Sequence, residues 1–289
     1  MFAERLICSW IGALVLASGA LCQTYVQFSV DGDTGPTSIN KKGEIAGYYD
    51  DFAFNSHGFV RDPSGKITTF DVPGSSATVA SSVNDKGAIT GYYFVLPSGV
   101  SGFIRDPEGN FTTFDPPGSI VTIPSSINAG GAVTGFYHEL NNVSHGFVRR
   151  ADGKLISFDP PGSISTQPLS INAKGFITGQ YLDANQRVHG FVRRPGGEIV
   201  SFDVPESTGT SAHSINDAGA ITGSYGAAGR SFGFVRDPDG RFTSFDPFPN
   251  TYPGVINNEG AVIGGTQSFL NFVRSPEGTI TLFFPPFCD

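Results

Sequence analysis

Tryptophan and methionine each occur once in this chain of 289 residues, and cysteine only three times, at Cys8, Cys22 and Cys288. Three thiols allow one disulfide at most, so bridges are not the main source of stability. Bases are scarce too: Lys and Arg number 18 against 26 Asp and Glu, a formal charge of −8. That balance excludes a general nucleic-acid-binding role, which needs clustered cations against phosphate. No long stretch carries an apolar period of 3.6, so long helices are not expected. After the first 22 residues no segment is apolar over a membrane-spanning length, which predicts no transmembrane segment.

Glycine and phenylalanine are abundant. Gly 38 and Pro 20 punctuate the chain at the density of many short strands and turns. A hydrophobic content of 39%, with 26 Phe, is enough to bury a large core. The N-terminus differs from the rest: Arg5 precedes an apolar run from Leu6 to Ala17, and Ser18, Gly19 and Ala20 follow. This is the layout of a secretory signal peptide over residues 1–22, cut after Ala20 or after Cys22. It predicts a secreted protein, extracellular or in the periplasm or cell envelope. Cys22 also raises lipid anchoring, but Leu21 before it fits that processing poorly. Cleavage after Ala20 would leave Cys22 and Cys288 free to form a disulfide.

Self-similarity at a fixed period governs residues 23–289. An apolar residue and Asn open each unit, at Asn40, Asn84, Asn128, Asn172, Asn216 and Asn257, 44 residues apart except for a last step of 41. Gly-Phe-Val/Ile-Arg runs through Phe59, Phe103, Phe147, Phe191 and Phe234, ending as Asn-Phe-Val-Arg at Phe272. Phe-Asp-x-Pro recurs at Phe70, Phe114, Phe158 and Phe202, and varies at Phe245 and Phe283. Within Ala77–Pro117 the pattern predicts four short strands, with a positive-φ glycine in the turn before the last. Six such units predict an all-β six-bladed β-propeller with four antiparallel strands per blade. Phe28-Ser29-Val30-Asp31-Gly32 imitates a fourth strand ahead of the first unit, as though an N-terminal strand helped close the ring.

These phased signatures resemble the HAF family of bacterial extracellular repeats, named for a His-Ala-Phe tripeptide. It reads His-Gly-Phe here at His57, His145 and His189, with Ser101, Phe232 and Leu270 in place of His in the other units. The resemblance implies a secreted repeat protein and no particular activity.

Residues present in every unit read as architecture, since a site usually breaks the symmetry of its scaffold. The Arg series through Arg61, Arg105 and Arg149, and the Asp series through Asp71, Asp115 and Asp159, are expected to bond backbone or each other at blade edges. Tyr49, Tyr93, Tyr137, Tyr181 and Tyr225 share one position before the variable loops. They are candidates for stacking on a sugar or peptide, or for closing the top of the core. The six Asn open turns; their alternative is a polar ring that holds a metal in a central channel. Gly229-Arg230-Ser231-Phe232-Gly233 matches a nucleophile elbow only in letters, because it enters a strand and not a helix. No catalytic residue and no cofactor is expected. The reading is a monomeric, non-enzymatic module for an extracellular glycan or protein ligand. The alternatives are a metal-dependent propeller hydrolase or lyase and a structural surface protein.

Overall fold

The computed structural model describes residues 26, 28–30, 32–95, 99–141, 143–267 and 270–283. The expected signal segment, Cys8, Cys22, Cys288 and the expected disulfide lie outside them. The described residues form twenty-four strands and no helix. In the first unit β1 (Asp33–Ile39), β2 (Ile45–Asp50), β3 (Ser56–Arg61) and β4 (Ile67–Phe70) pair in sequence order, each antiparallel to the next. The same meander recurs in every later unit, ending at β24 (Ile280–Phe283). Three of the six meanders stand as separate four-stranded sheets. The other three join into one of twelve strands through the parallel bridges Val100↔Val121 and Ser144↔Ser165. No sheet closes on itself.

Local chemistry explains the turns. Gly65, Gly109, Gly153, Gly197, Gly240 and Gly278 all take φ between 90° and 102°, the left-handed conformation that a Cβ disfavours. The preceding residue type is free to vary; this glycine is not.

Neighbouring meanders meet face to face. The third-strand Phe of every repeat, Phe59 through Phe272, is fully buried. In five joints it meets the fourth-strand Phe of the preceding repeat edge-to-face, as Phe103 meets Phe70 at 6.3 Å. The repeat Arg two residues on lies over that same ring, at 4.9 Å for Arg105 over Phe70. The expected N-terminal strand is not a strand: Phe28–Val30 have no ladder partner, and the first strand begins at Asp33. Phe28 nevertheless performs the packing, 5.9 Å from Phe59 and under Arg61, where a fourth-strand Phe of a preceding repeat would lie.

Candidate functional site

The six asparagines are stitches. In the first four turns each Oδ1 accepts the backbone N–H groups two and four residues on, as Asn84 does from Lys86 and Ala88 at 3.0 Å. Asn216 and Asn257 accept from Ala220 and Ala261. The Nδ2 of Asn40, Asn84, Asn128, Asn172 and Asn216 donates to the carbonyl of the next asparagine in the series at 2.8–3.0 Å. A metal would have to compete with backbone amides for every one of these oxygens. Among the described residues no group of three or more His, Cys, Asp or Glu is placed to hold a metal ion.

At the opposite ends of the strands lie the tyrosines. Tyr49 stacks on His57 at 5.2 Å and Tyr181 on His189 at 5.0 Å; Tyr137 tilts over His145, and Tyr225 stacks on Phe232. Tyr137 and Tyr181 are only 5% and 8% exposed. Tyr137 O–H donates to Ser157 Oγ at 3.1 Å and Tyr225 O–H to Ser244 Oγ at 3.0 Å. Tyr49 and Tyr93 are half-buried. Tyr93, Tyr137, Tyr181 and Tyr225 pack against the core clusters between repeats.

The repeat Asp partners His, not the repeat Arg. Nδ1 of His57, His145 and His189 meets Oδ2 of Asp71, Asp159 and Asp203 at 2.9, 2.6 and 2.8 Å. Nε2 of His57 and His189 also faces Asp51 and Asp183, at 3.4 and 3.3 Å. Burial opposes a charge on His57, but its bonds to Asp71 and Asp51 outweigh that and hold its pKa above the ordinary value. Amides of Asn55 and Ala53 and the side chains of Asn55 and His57 lower Asp51 to about 2. Where Phe232 replaces His, Arg230 pairs with Asp246 instead. The constant offset of 14 residues between these His and Asp was the sequence signal for the pairing.

One position pair breaks the repeat. Directly opposite residues on the first and second strands are Gly35↔Tyr48, Val79↔Tyr92, Ile123↔Phe136 and, in the sixth repeat, Tyr252↔Gly265. Each contains one aromatic ring. In the fourth and fifth repeats the pairs are Gln167↔Gln180 and Ser211↔Ser224, with none. Two clefts open there and share Val188. One, of about 160 Å³, is lined by Ser165, Gln167, Gln180, Tyr181 and Leu182. The other, of about 270 Å³, is lined by Gln186, Thr208, Ser211, Ser224, Tyr225 and Ser231, among others. Gln186 and Thr208 of the larger cleft come from loops between strands, and no Asp, Glu, Lys, Arg or His lines either cleft. Sequence reasoning put candidate binding on the Tyr series, of which Tyr181 and Tyr225 line these clefts, and did not single out the Gln and Ser pairs beside them. Their signal was the loss of an aromatic just before Tyr181 and Tyr225.

The amino-acid sequence matches no protein-family profile and no curated protein. Its fold does match solved structures. Virginiamycin B lyase from Staphylococcus aureus superposes with a TM-score of 0.61 at 16% identity, over 88% of this chain and 86% of that one. TolB from Acinetobacter baumannii gives 0.56 at 12% identity, over 74% and 54%. The chain has a β-propeller fold. Aleuria aurantia lectin, solved in complex with Fucα1-6GlcNAc, gives 0.51 at 13% identity, over 85% and 93%. A lyase, TolB and a lectin share this propeller architecture, so the fold by itself leaves the activity open.

Proposed function

We propose that this chain is an exported six-bladed propeller that binds a neutral glycan, without catalysis, in the paired clefts of its fourth and fifth repeats. The observation that carries this reading is the replacement of an aromatic cross-strand pair by Gln167↔Gln180 and Ser211↔Ser224 in those two repeats alone. Hydroxyls and primary amides both donate and accept, which suits the hydroxyls of a sugar. Tyr181 and Tyr225 supply apolar edges for its C–H faces. That no Asp, Glu, Lys, Arg or His lines either cleft supports binding over general acid–base chemistry. Export rests on the charged, apolar and small-residue order of residues 1–22. Six blades rest on the six antiparallel meanders.

The test restores the symmetry. Ser224→Tyr and Gln180→Phe place at these positions the rings that Tyr92 and Phe136 supply in the second and third repeats, so folding should survive. A glycan array followed by calorimetry on the best ligand should show binding to the wild type and at least a tenfold loss in the double variant. Wild-type protein that binds no glycan, or a double variant that binds equally well, would refute the site.

A further inference from the structure

A third cleft, of about 280 Å³, lies at the asparagine end of the strands, in the joint between the fourth and fifth repeats. Its residues depart from the repeat. Phe176, Val192, Val200 and Ile215 form an apolar wall. Phe176 closes its turn where the other repeats have Glu44, Ala88, Ala132, Ala220 and Ala261. Val200 stands where four repeats have Thr68, Thr112, Thr243 and Thr281, and it is 39% exposed. Hydrocarbon has replaced small or polar side chains on the wall of a hollow that opens to water.

The rim is cationic in a chain of net charge −8. Lys174, Arg194 and Arg236 line it, against one carboxylate, Asp217. Arg194 occupies the position of Asp62, Asp106 and Asp237, a reversal of charge, and pairs with Glu198 at 2.9 Å. Asp217 is committed elsewhere: Oδ1 accepts the Ala173 N–H at 2.8 Å and Oδ2 accepts Asn258 Nδ2 at 2.7 Å. Lys174 Nζ has no acceptor among the described residues.

Arg236 differs from the other repeat arginines. Nη1 of Arg61, Arg105, Arg149, Arg193 and Arg274 donates to the carbonyl of the following residue at 3.2–3.4 Å. Arg236 makes no hydrogen bond or ion pair among the described residues, and its Nε is buried without an acceptor. The rings of Phe202, at 4.8 Å, and Phe242, at 5.9 Å, hold the guanidinium in place. Burial lowers its pKa more than the charge on Asp237 raises it, a cost that an anion in the cleft would offset.

We propose that this cleft binds a small aryl or alkyl carboxylate, its anion held by Arg236 and Lys174 and its hydrocarbon laid on Phe176 and Val200. The class follows from shape and charge. A guanidinium with unused donors matches a carboxylate edge. With Glu198 on Arg194 and Asp217 in the wall, the three cations leave a single positive charge, which fits a monoanion and not a phosphate dianion. The site is separate from the glycan clefts and does not rest on that reading.

The experiment titrates the full chain by calorimetry with phenylacetate and octanoate, alongside phenyl phosphate, benzyl alcohol and benzylammonium. Saturable binding of a carboxylate at one site is expected, weakening roughly tenfold from low to high salt. Amide shifts in NMR spectra should centre on Lys174 and Gly219. Phe176→Ala restores the alanine of four other repeats and Lys174→Gln alters an exposed side chain, so both should fold. Phe176→Ala should weaken binding about fivefold, and Lys174→Gln roughly tenfold. The Gln180→Phe, Ser224→Tyr variant should bind the carboxylate as wild type does, which separates this site from the glycan clefts. Wild type that binds neither carboxylate overturns the proposal. So does equal affinity in Phe176→Ala and Lys174→Gln, or equally tight binding of the phosphate, the alcohol or the ammonium compound.

Discussion

At the scale of single residues, the repeat Arg shows how a charged side chain becomes a packing element. Arg193 is nearly buried, sits 4.8 Å over the Phe158 ring, and bonds only the carbonyl of Arg194, at 3.3 Å. Burial lowers its pKa, and no carboxylate offsets it. Its contribution is therefore cation–π attraction plus covered hydrocarbon, on the order of 1 kcal/mol. Arg193→Ala should lower stability by about that much in urea unfolding, with a loss unchanged between low and high salt; a salt-screened loss would reveal an ion pair instead. His57 behaves in the opposite way, because two carboxylates face it. Its folded pKa lies above the unfolded 6.5, so its stabilisation is full below pH 6.5 and disappears as the pH rises through the folded value. An NMR titration should place the His57 imidazole above its ordinary pKa, and Asp71→Asn should bring it down.

At the scale of elements, the asparagine turn is the unit that holds both a hairpin and a joint. Asn128 accepts Gly130 and Ala132 N–H within its turn and donates to Asn172 O across the joint. Asn128→Ala orphans buried groups on both sides and should cost roughly 2–3 kcal/mol. Asn128→Asp keeps the turn but aims a carboxylate at the Asn172 carbonyl, so chemical denaturation should rank it well below wild type too. His213 sits in such a joint, Nδ1 bonded to the Pro253 carbonyl at 2.5 Å. Burial lowers its pKa more than that carbonyl raises it. The unfolded chain then takes up a proton that the folded chain resists, and stability falls as the pH drops below about 6.5. Melting curves of wild type and His213→Gln should converge as the pH falls from 7 to 5. The strands and turns of these elements were legible from the repeat, since Phe59, Asn40 and Gly65 mark the same places in every unit. The clefts were not, because a bulge interrupts the pairing of the first strand, as between Pro168 and Ser170. A simple alternation carried from Ile171 back to Gln167 therefore gives the wrong face. The His–Asp pairs also escaped notice, although they follow the ladder: each His precedes the last paired glycine of the third strand and its Asp follows the last Phe of the fourth, as His57 and Asp71 flank Gly58↔Phe70.

At the scale of the whole molecule, the row of meanders behaves as a one-dimensional array in which each repeat is stabilised by the joints on either side. The second to fifth repeats have two joints each. The sixth has one, and the first has one plus the cover of Phe28 on Phe59. Opening the sixth repeat therefore breaks one set of stitches, whereas opening the third breaks two, so local unfolding free energies should rise from the sixth repeat inward. Hydrogen exchange at low protein concentration should show the amides around Ile263 and Ile39 exchanging faster than their counterparts Thr134 and Ile127. Uniform protection across all six repeats at low concentration would show that the row already closes within one chain.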